Sequence, residues 1–286
     1  MRWIVAMLAL ILSLAPASAA GARAATVALG AKASPWTDFQ EGRVRLLMIE
    51  PAMDDQIIRG GIGIRLMPGY KTYWRNPGDS GLPPAFDFSD SRGAQDFNVE
   101  FPMPSVFDDG GGGQAWGYKT DVLLPFTARK TGTGPVSIVL KLDFAVCGTT
   151  CIPLSANLKL EGGLPAGLEA IEAIARAESR VPKRLAPQDF AAQVRLDSRI
   201  PGENPGFVLE IRHPAAPEDF AVFTESRGYL LVKPPVLLSP GHYRVELKGQ
   251  LPPGADKTFG PVRLTFGSKK EPREGMLHLD EAGVTQ

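Results

Sequence analysis

This 286-residue chain lacks most of the features that mark a chemistry at sight. It has no net charge, since 31 Lys and Arg balance 31 Asp and Glu. Nothing in it forms the basic stripe of a nucleic-acid binder, so nucleic acid is excluded as a partner. Histidine is scarce: His213, His242 and His278 all lie in the second half, each alone. They read as surface or loop residues rather than metal ligands, and no cofactor is expected. After the N-terminus no run approaches the ~18 apolar residues of a membrane helix. Cysteine is scarcer still, with only Cys147 and Cys151.

The N-terminus carries one clear signal. Arg2 precedes an apolar run from Trp3 to Leu14, and Ala17-Ser18-Ala19 makes a small-x-small cleavage site, with a second candidate at Ala22-Arg23-Ala24. Residues 1–20 therefore read as a secretory signal cleaved near Ala19 or Ala20, an uncleaved anchor being the alternative. The remaining roughly 265 residues are expected in an oxidising compartment where disulfides persist.

Gly and Pro are abundant, at 31 and 26, and spread along the chain. Short β-rich runs alternate with turn signals, which predicts an all-β fold: an immunoglobulin-like sandwich over 36–162, then a second, smaller sandwich-like domain over 183–268. Strands are expected at 44–49, 62–66, 99–101, 122–126, 136–144 and 156–160. In the second half they are expected at 191–196, 207–212, 221–224, 229–232, 243–248 and 262–266. Residues 163–182 read as a helical connector with an apolar stripe of Leu164, Leu168, Ile171 and Ala175, stopped by Pro182. Residues 269–286 read as a flexible tail. The runs 244–248 and 262–266, joined through Leu251-Pro252-Pro253-Gly254, echo the strand-turn-strand around the cysteines.

Three residues, Gly148-Thr149-Thr150, separate the two cysteines. Hairpin loops of this size are common and would bring the thiols together on facing strands. A disulfide closing about five residues contributes only about 2 kcal/mol of loop entropy, little for a chain this long. The spacing leaves open a redox pair or a local staple. No Cys-x-x-Cys opens a helix, and no His or Lys adjoins the pair in sequence, so no activating group is evident. Such a pair suits exchange with a docked protein better than aggressive oxidation. Two thiolates also suit Cu(I), although a closed site would want further Cys, His or Met nearby.

The run Val146-Cys147-Gly148-Thr149-Thr150-Cys151-Ile152-Pro153 resembles the active-site hairpin of the N-terminal periplasmic (alpha) domain of DsbD-type thiol:disulfide interchange proteins, including the ScsB-like branch associated with copper tolerance. Pro68 to Gly81, Phe101-Pro102-Met103-Pro104 and Gly117-Tyr118 before Val122-Leu123-Leu124-Pro125 match in the same order. The resemblance implies a redox disulfide at Cys147 and Cys151 as the catalytic pair, on an immunoglobulin-like sandwich in the periplasm. It implies a membrane-embedded DsbD/ScsB-like electron donor and oxidised thioredoxin-like periplasmic proteins as partners. Tyr70 and Tyr73 look like aromatics flanking the disulfide, or else core residues. Phe107-Asp108-Asp109 through Trp116 looks like the loop that shields it, with Trp116 as the ring that stands in for the family's cap aromatic.

This sequence departs from the family pattern in three ways. The better-known reductases have a longer insert between their cysteines. The shielding loop here has four glycines at its tip, Gly110 to Gly113. No segment matches the family's membrane-spanning and thioredoxin-like parts, so electrons are expected from a separate protein. The competing expectations are a non-enzymatic two-domain binding or assembly module with a structural disulfide, and a copper-handling periplasmic protein.

Overall fold

The computed structural model describes residues 30–51, 56–108, 113–161, 163–202, 205–226, 229–250 and 260–279. The segment read as a secretory signal lies outside these. Two layers of sheet form the first half. A 7-stranded sheet runs in the order Leu164–Pro165, Ala31–Ala33, Gly42–Ile49, Ile57–Leu66, Val122–Lys130, Ala94–Val99, with Thr37–Phe39 on Gly42–Ile49. The facing 6-stranded sheet runs Cys151–Glu161, Ser137–Cys147, Lys71–Gly78, Gln114–Tyr118, Ser105–Asp108, with Ala85–Asp87 on Ser137–Cys147. The result is an immunoglobulin-like sandwich.

Alternation explains the long hairpin that carries the cysteines. Ile138, Leu140, Leu142 and Phe144 are buried on one face of Ser137–Cys147, while Lys141 and Asp143 are exposed. Its partner Cys151–Glu161 buries Ala156, Leu158 and Leu160 and exposes Ser155, Asn157 and Lys159. The ladder runs without a slip from Ser137 opposite Glu161 to Cys147 opposite Cys151. In the facing sheet, Gly60 allows close packing: a Cβ there would stand 2.3 Å from the ring of Phe126.

The second half adds a 4-stranded sheet, Lys183–Arg184, Pro272–His278, Pro261–Gly267, Ala221–Glu225, and a 5-stranded sheet, Val194–Ile200, Gly206–Arg212, His242–Gln250, Tyr229–Val232, with Val236–Ser239 on His242–Gln250. The core is continuous from one half to the other. Phe223 packs at 5.5 Å from Trp74 and 5.3 Å from Trp116, ring centre to ring centre.

Several expectations are corrected. The strand expected at 99–101 ends at Val99, and Ala191 closes a short helix, Pro187–Ala191, before the next strand starts at Val194. The runs 244–248 and 262–266 do not form a hairpin; they lie in different sheets, so the internal echo is only one of sequence. The residues between them at 251–254 lie outside the described part. Pro272–His278, assigned to the tail, pairs along its whole length with Pro261–Gly267.

The helix spans Gly167–Glu178, but its buried face is Ala170, Ile174 and Ala177. Leu168 is 74 % exposed, because Leu164–Pro165 belongs to the sheet edge and the helical phase starts later than the sequence suggests. The helix lies on the outer face of the 7-stranded sheet, against Ala31, Ala33, Leu47 and Ile49. Arg59 Nε donates to Glu178 Oε1 at 2.9 Å and ties down its C-terminal end.

Candidate functional site: the cysteine hairpin and its aromatic support

Cys147 and Cys151 are the closing pair of the long hairpin and are joined as a disulfide, with Cα atoms 4.0 Å apart. Gly148 N–H donates to the Thr150 carbonyl at 3.2 Å across the intervening turn. The two sulfurs sit in unlike surroundings. Cys147 is 1 % exposed, whereas Cys151 is exposed. The cause is local: near its end Ser137–Cys147 pairs along both edges, with Cys151–Glu161 and with Lys71 and Thr72, and the face that carries Cys147 is covered by side chains.

On the face turned away from the main core, Cys147 joins Ala145, Tyr73, Phe107 and Ala115 in a small, separate buried cluster. Tyr73 is its polar member. Its hydroxyl lies 2.9 Å from Cys147 Sγ and 3.1 Å from Cys151 Sγ. Disulfide sulfur carries no hydrogen, so Tyr73 is the donor in both contacts. The Phe107 ring packs on Tyr73 with centres 6.4 Å apart. Two ammonium groups flank Phe107, with Lys71 Nζ at 4.6 Å and Lys119 Nζ at 5.6 Å from the ring centre. Lys71 Nζ also donates to the Asp108 carbonyl at 3.0 Å, fastening the end of Ser105–Asp108 to the strand beside the disulfide.

The residues singled out in the sequence separate into groups. Tyr70 stands beside the turn, where a Cβ built on Gly148 would lie 3.1 Å from its ring. Tyr73 and Phe107 support the disulfide, Asp108 is exposed, and Asp109 lies outside the described residues together with most of the glycine tip. Trp116 does not shield the disulfide. It is 2 % exposed within the main core, edge-on to Trp74 at 6.4 Å. Successive strand residues face opposite ways, so Ala115 meets the disulfide cluster and Trp116 the core. The ring beside the disulfide is Phe107.

Two supports went unrecognised in the sequence. Gly81 holds φ +116°, and a Cβ there would stand 2.3 Å from the Tyr73 ring, so a glycine backs that ring. Trp74 to Pro77 leave the ladder between the Tyr73–Gly117 and Gly78–Ala115 pairs. This excursion meets the second half of the chain: Arg75 Nε donates to Glu225 Oε1 at 2.7 Å, Arg75 also pairs with Glu274, and Asn76 Nδ2 donates to the Thr224 carbonyl at 2.6 Å. The Trp-Arg-Asn-Pro-Gly run thus joins the two halves, directly after the tyrosine that holds the sulfurs.

Among the described residues, no group of three or more His, Cys, Asp and Glu side chains is placed to hold a metal. His213 lies in a loop, just after Gly206–Arg212, but not at the surface. It is 2 % exposed, with Nδ1 accepting from Ala215 N–H at 3.0 Å and Nε2 2.9 Å from the Glu271 carbonyl. No helix among the described residues is long and apolar enough to cross a membrane.

Residues 43–161 match the family model of the N-terminal domain of thiol:disulfide interchange protein DsbD. The fold is similar to the crystal structure of the N-terminal periplasmic domain of ScsB from Proteus mirabilis, with a TM-score of 0.70 at 20 % identity. That likeness covers 89 % of this chain and 99 % of the other, so it takes in both halves. No curated protein matches the chain.

Proposed function

We propose, from the match of residues 43–161 to the family model of the DsbD N-terminal domain, that this chain is a periplasmic thiol–disulfide relay protein. Its Cys147–Cys151 disulfide takes electrons from a membrane-embedded donor of the DsbD/ScsB type and passes them to oxidised, thioredoxin-like periplasmic proteins. The observation that carries this reading is the asymmetry of the disulfide: one sulfur exposed, the other buried, and a tyrosine hydroxyl donating to both.

The chemistry follows from that asymmetry. A donor thiolate attacks Cys151 Sγ, the sulfur it can reach. The S–S bond breaks, a mixed disulfide forms at Cys151, and the bonding pair leaves on Cys147 Sγ. Tyr73 donates its hydroxyl hydrogen bond to the new thiolate, which accepts far better than disulfide sulfur. The donor's second thiolate then displaces Cys151, leaving the donor oxidised and this chain a dithiol. In the outward step the Cys151 thiolate attacks a partner disulfide, and Cys147 attacks Cys151 Sγ to restore the bridge. Two electrons move in each direction, and protons exchange with solvent as thiolates form and disappear.

The test is a reduction potential measured with thiol trapping, together with partner capture by Cys147→Ala. The relay reading requires a potential that the periplasmic donor can reduce. A bridge below about −300 mV, untouched by the donor, would overturn it in favour of a structural staple. Cys147→Ala retains the exposed cysteine and is expected to accumulate mixed disulfides; Cys151→Ala is not.

A further inference from the structure

On the far face of the first domain, we infer that an open cationic trough beside Trp36 is a docking groove for an extended, carboxylate-rich polypeptide segment of a partner.

The trough follows from strand alternation. On Gly42–Ile49, Val44, Leu46 and Met48 point into the sandwich, and Arg43, Arg45, Leu47 and Ile49 point outward. The helix Gly167–Glu178 covers Leu47 and Ile49 but stops short of the arginine end. There Arg65, opposite Arg43 in the ladder, brings a third guanidinium. All three converge on one indole: Arg43, Arg45 and Arg65 lie 4.6, 4.3 and 5.0 Å from the Trp36 ring centre. Like charges directly opposite on paired strands destabilise a sheet, and packing three on one ring adds to that cost. Among the described residues, no carboxylate lies within ion-pair reach of Arg43 or Arg45, and Asp121 reaches only Arg65, at 3.8 Å. Burial and the two neighbouring arginines push the Arg45 pKa down, as expected of an uncompensated cation.

The cavity here has a volume of about 650 Å³ and is lined by six cations: Arg45, Arg65, Arg176, Arg180, Lys269 and Lys270. The two lysines come from the second half of the chain. Asp121 is its one acidic lining residue, although Glu169 and Glu172 edge the adjoining part of the trough, where Glu172 pairs with Arg176 at 3.4 Å. A single small oxyanion would occupy only the arginine cluster. A line of cations along a concave trough fits a chain of carboxylates, each able to take a forked pair of guanidinium hydrogen bonds. A recessed groove also suits a peptide better than the plane of a bilayer.

The test is calorimetric titration of the protein with hexaglutamate at low salt, with Trp36 emission as a second readout. Saturable binding is expected that weakens at high salt. Arg45→Gln and Arg65→Gln should each weaken it about tenfold or more, the loss of one charge-assisted contact. Both variants should melt at or above the parent temperature and keep its rate of disulfide reduction, which separates this groove from the redox site. Absence of saturable binding, or undiminished binding by both variants, overturns the proposal. Inorganic phosphate binding as tightly as hexaglutamate, or phosphatidylglycerol vesicles binding where hexaglutamate does not, overturns it in favour of a small-anion or a membrane site.

Discussion

The Tyr73 hydroxyl stands 2.9 Å from Cys147 Sγ and 3.1 Å from Cys151 Sγ, so one donor serves both ends of the disulfide. A disulfide sulfur accepts weakly and a thiolate strongly, so this contact favours the reduced, ionised form over the oxidised one. Tyr73→Phe keeps the ring and removes the donor. It is expected to slow reduction by a small-molecule dithiol about tenfold, the worth of one hydrogen bond to a charged group. The thiol pKa of the reduced protein, read from the pH profile of alkylation, should rise. An unchanged rate and pKa would remove Tyr73 from the chemistry.

Gly81 backs the same ring. Alanine there meets two obstacles, a left-handed φ of +116° and a Cβ 2.3 Å from a Tyr73 ring carbon. Tyr73 is 4 % exposed and has nowhere to retreat. Gly81→Ala is expected to cost about 2–4 kcal/mol, from backbone strain plus overpacking. Urea denaturation measures the loss. The reduction rate should also shift, because the ring that moves carries the hydroxyl. Parent-like stability would show that the loop around Gly81 yields freely.

Much of this was legible in the sequence, and the failures have physical causes. The hairpin was readable because apolar and polar residues alternate for most of its length, and the cysteine run places the bridge at its closed end. Which ring stands beside the disulfide was not. Phe107 and Trp116 are both large aromatics flanking the glycine tip, and which one faces the disulfide depends on strand phase. The sequence shows that phase only once the neighbouring layers are known. Tyr73 and Trp74 pose the same problem: adjacent residues, one in the disulfide cluster and one in the main core. The helix stripe was misphased because Leu164 and Leu168 are apolar yet exposed, at 62 % and 74 %. The last strand is hard to read because Pro272–His278 is charged at Arg273 and Glu274, and Glu274 is buried against partners distant in sequence, among them Arg75 from the other half of the chain.

That contact leads to a third expectation. Arg75 links the halves: it stacks 4.5 Å from the Trp74 ring centre, donates to Glu225, and pairs with Glu274, whose side chain is 6 % exposed. Arg75→Met leaves Glu274 with the Thr265 hydroxyl, which donates to Oε2 at 3.2 Å, and two longer ion pairs, Arg184 at 3.7 Å and Arg263 at 3.8 Å. A cost of about 2–3 kcal/mol is expected, below the full range for a buried pair because Arg75 and Glu225 retain some solvent contact. Arg75→Lys should recover only part of it, since an ammonium cannot fork between two carboxylates. Denaturation followed by both tryptophan emission and far-UV dichroism should then resolve separate transitions for the two halves. A single, parent-like transition would mean the apolar contacts of Phe223 hold the halves together unaided.

The second half also contains a pH-sensitive residue. Burial lowers the His213 pKa, and Arg273 adds to this, while the Glu271 carbonyl and carboxylate oppose it. The neutral ring fits its site: Nδ1 accepts from Ala215 N–H, and Nε2–H donates to the Glu271 carbonyl. Protonation would put a hydrogen on Nδ1 and break the first bond. The unfolded chain therefore binds this proton more readily than the folded one. The stability tied to the neutral ring is present in full above the ordinary histidine pKa of about 6.5 and is lost as pH falls through the lower folded value. Melting temperature should accordingly decline on acidification below about pH 6.5. His213→Gln, which keeps an acceptor and a donor without titrating, should flatten that decline while leaving the Cys147–Cys151 reduction rate unchanged. If the variant and the parent lose stability in parallel, the acid sensitivity belongs to other groups.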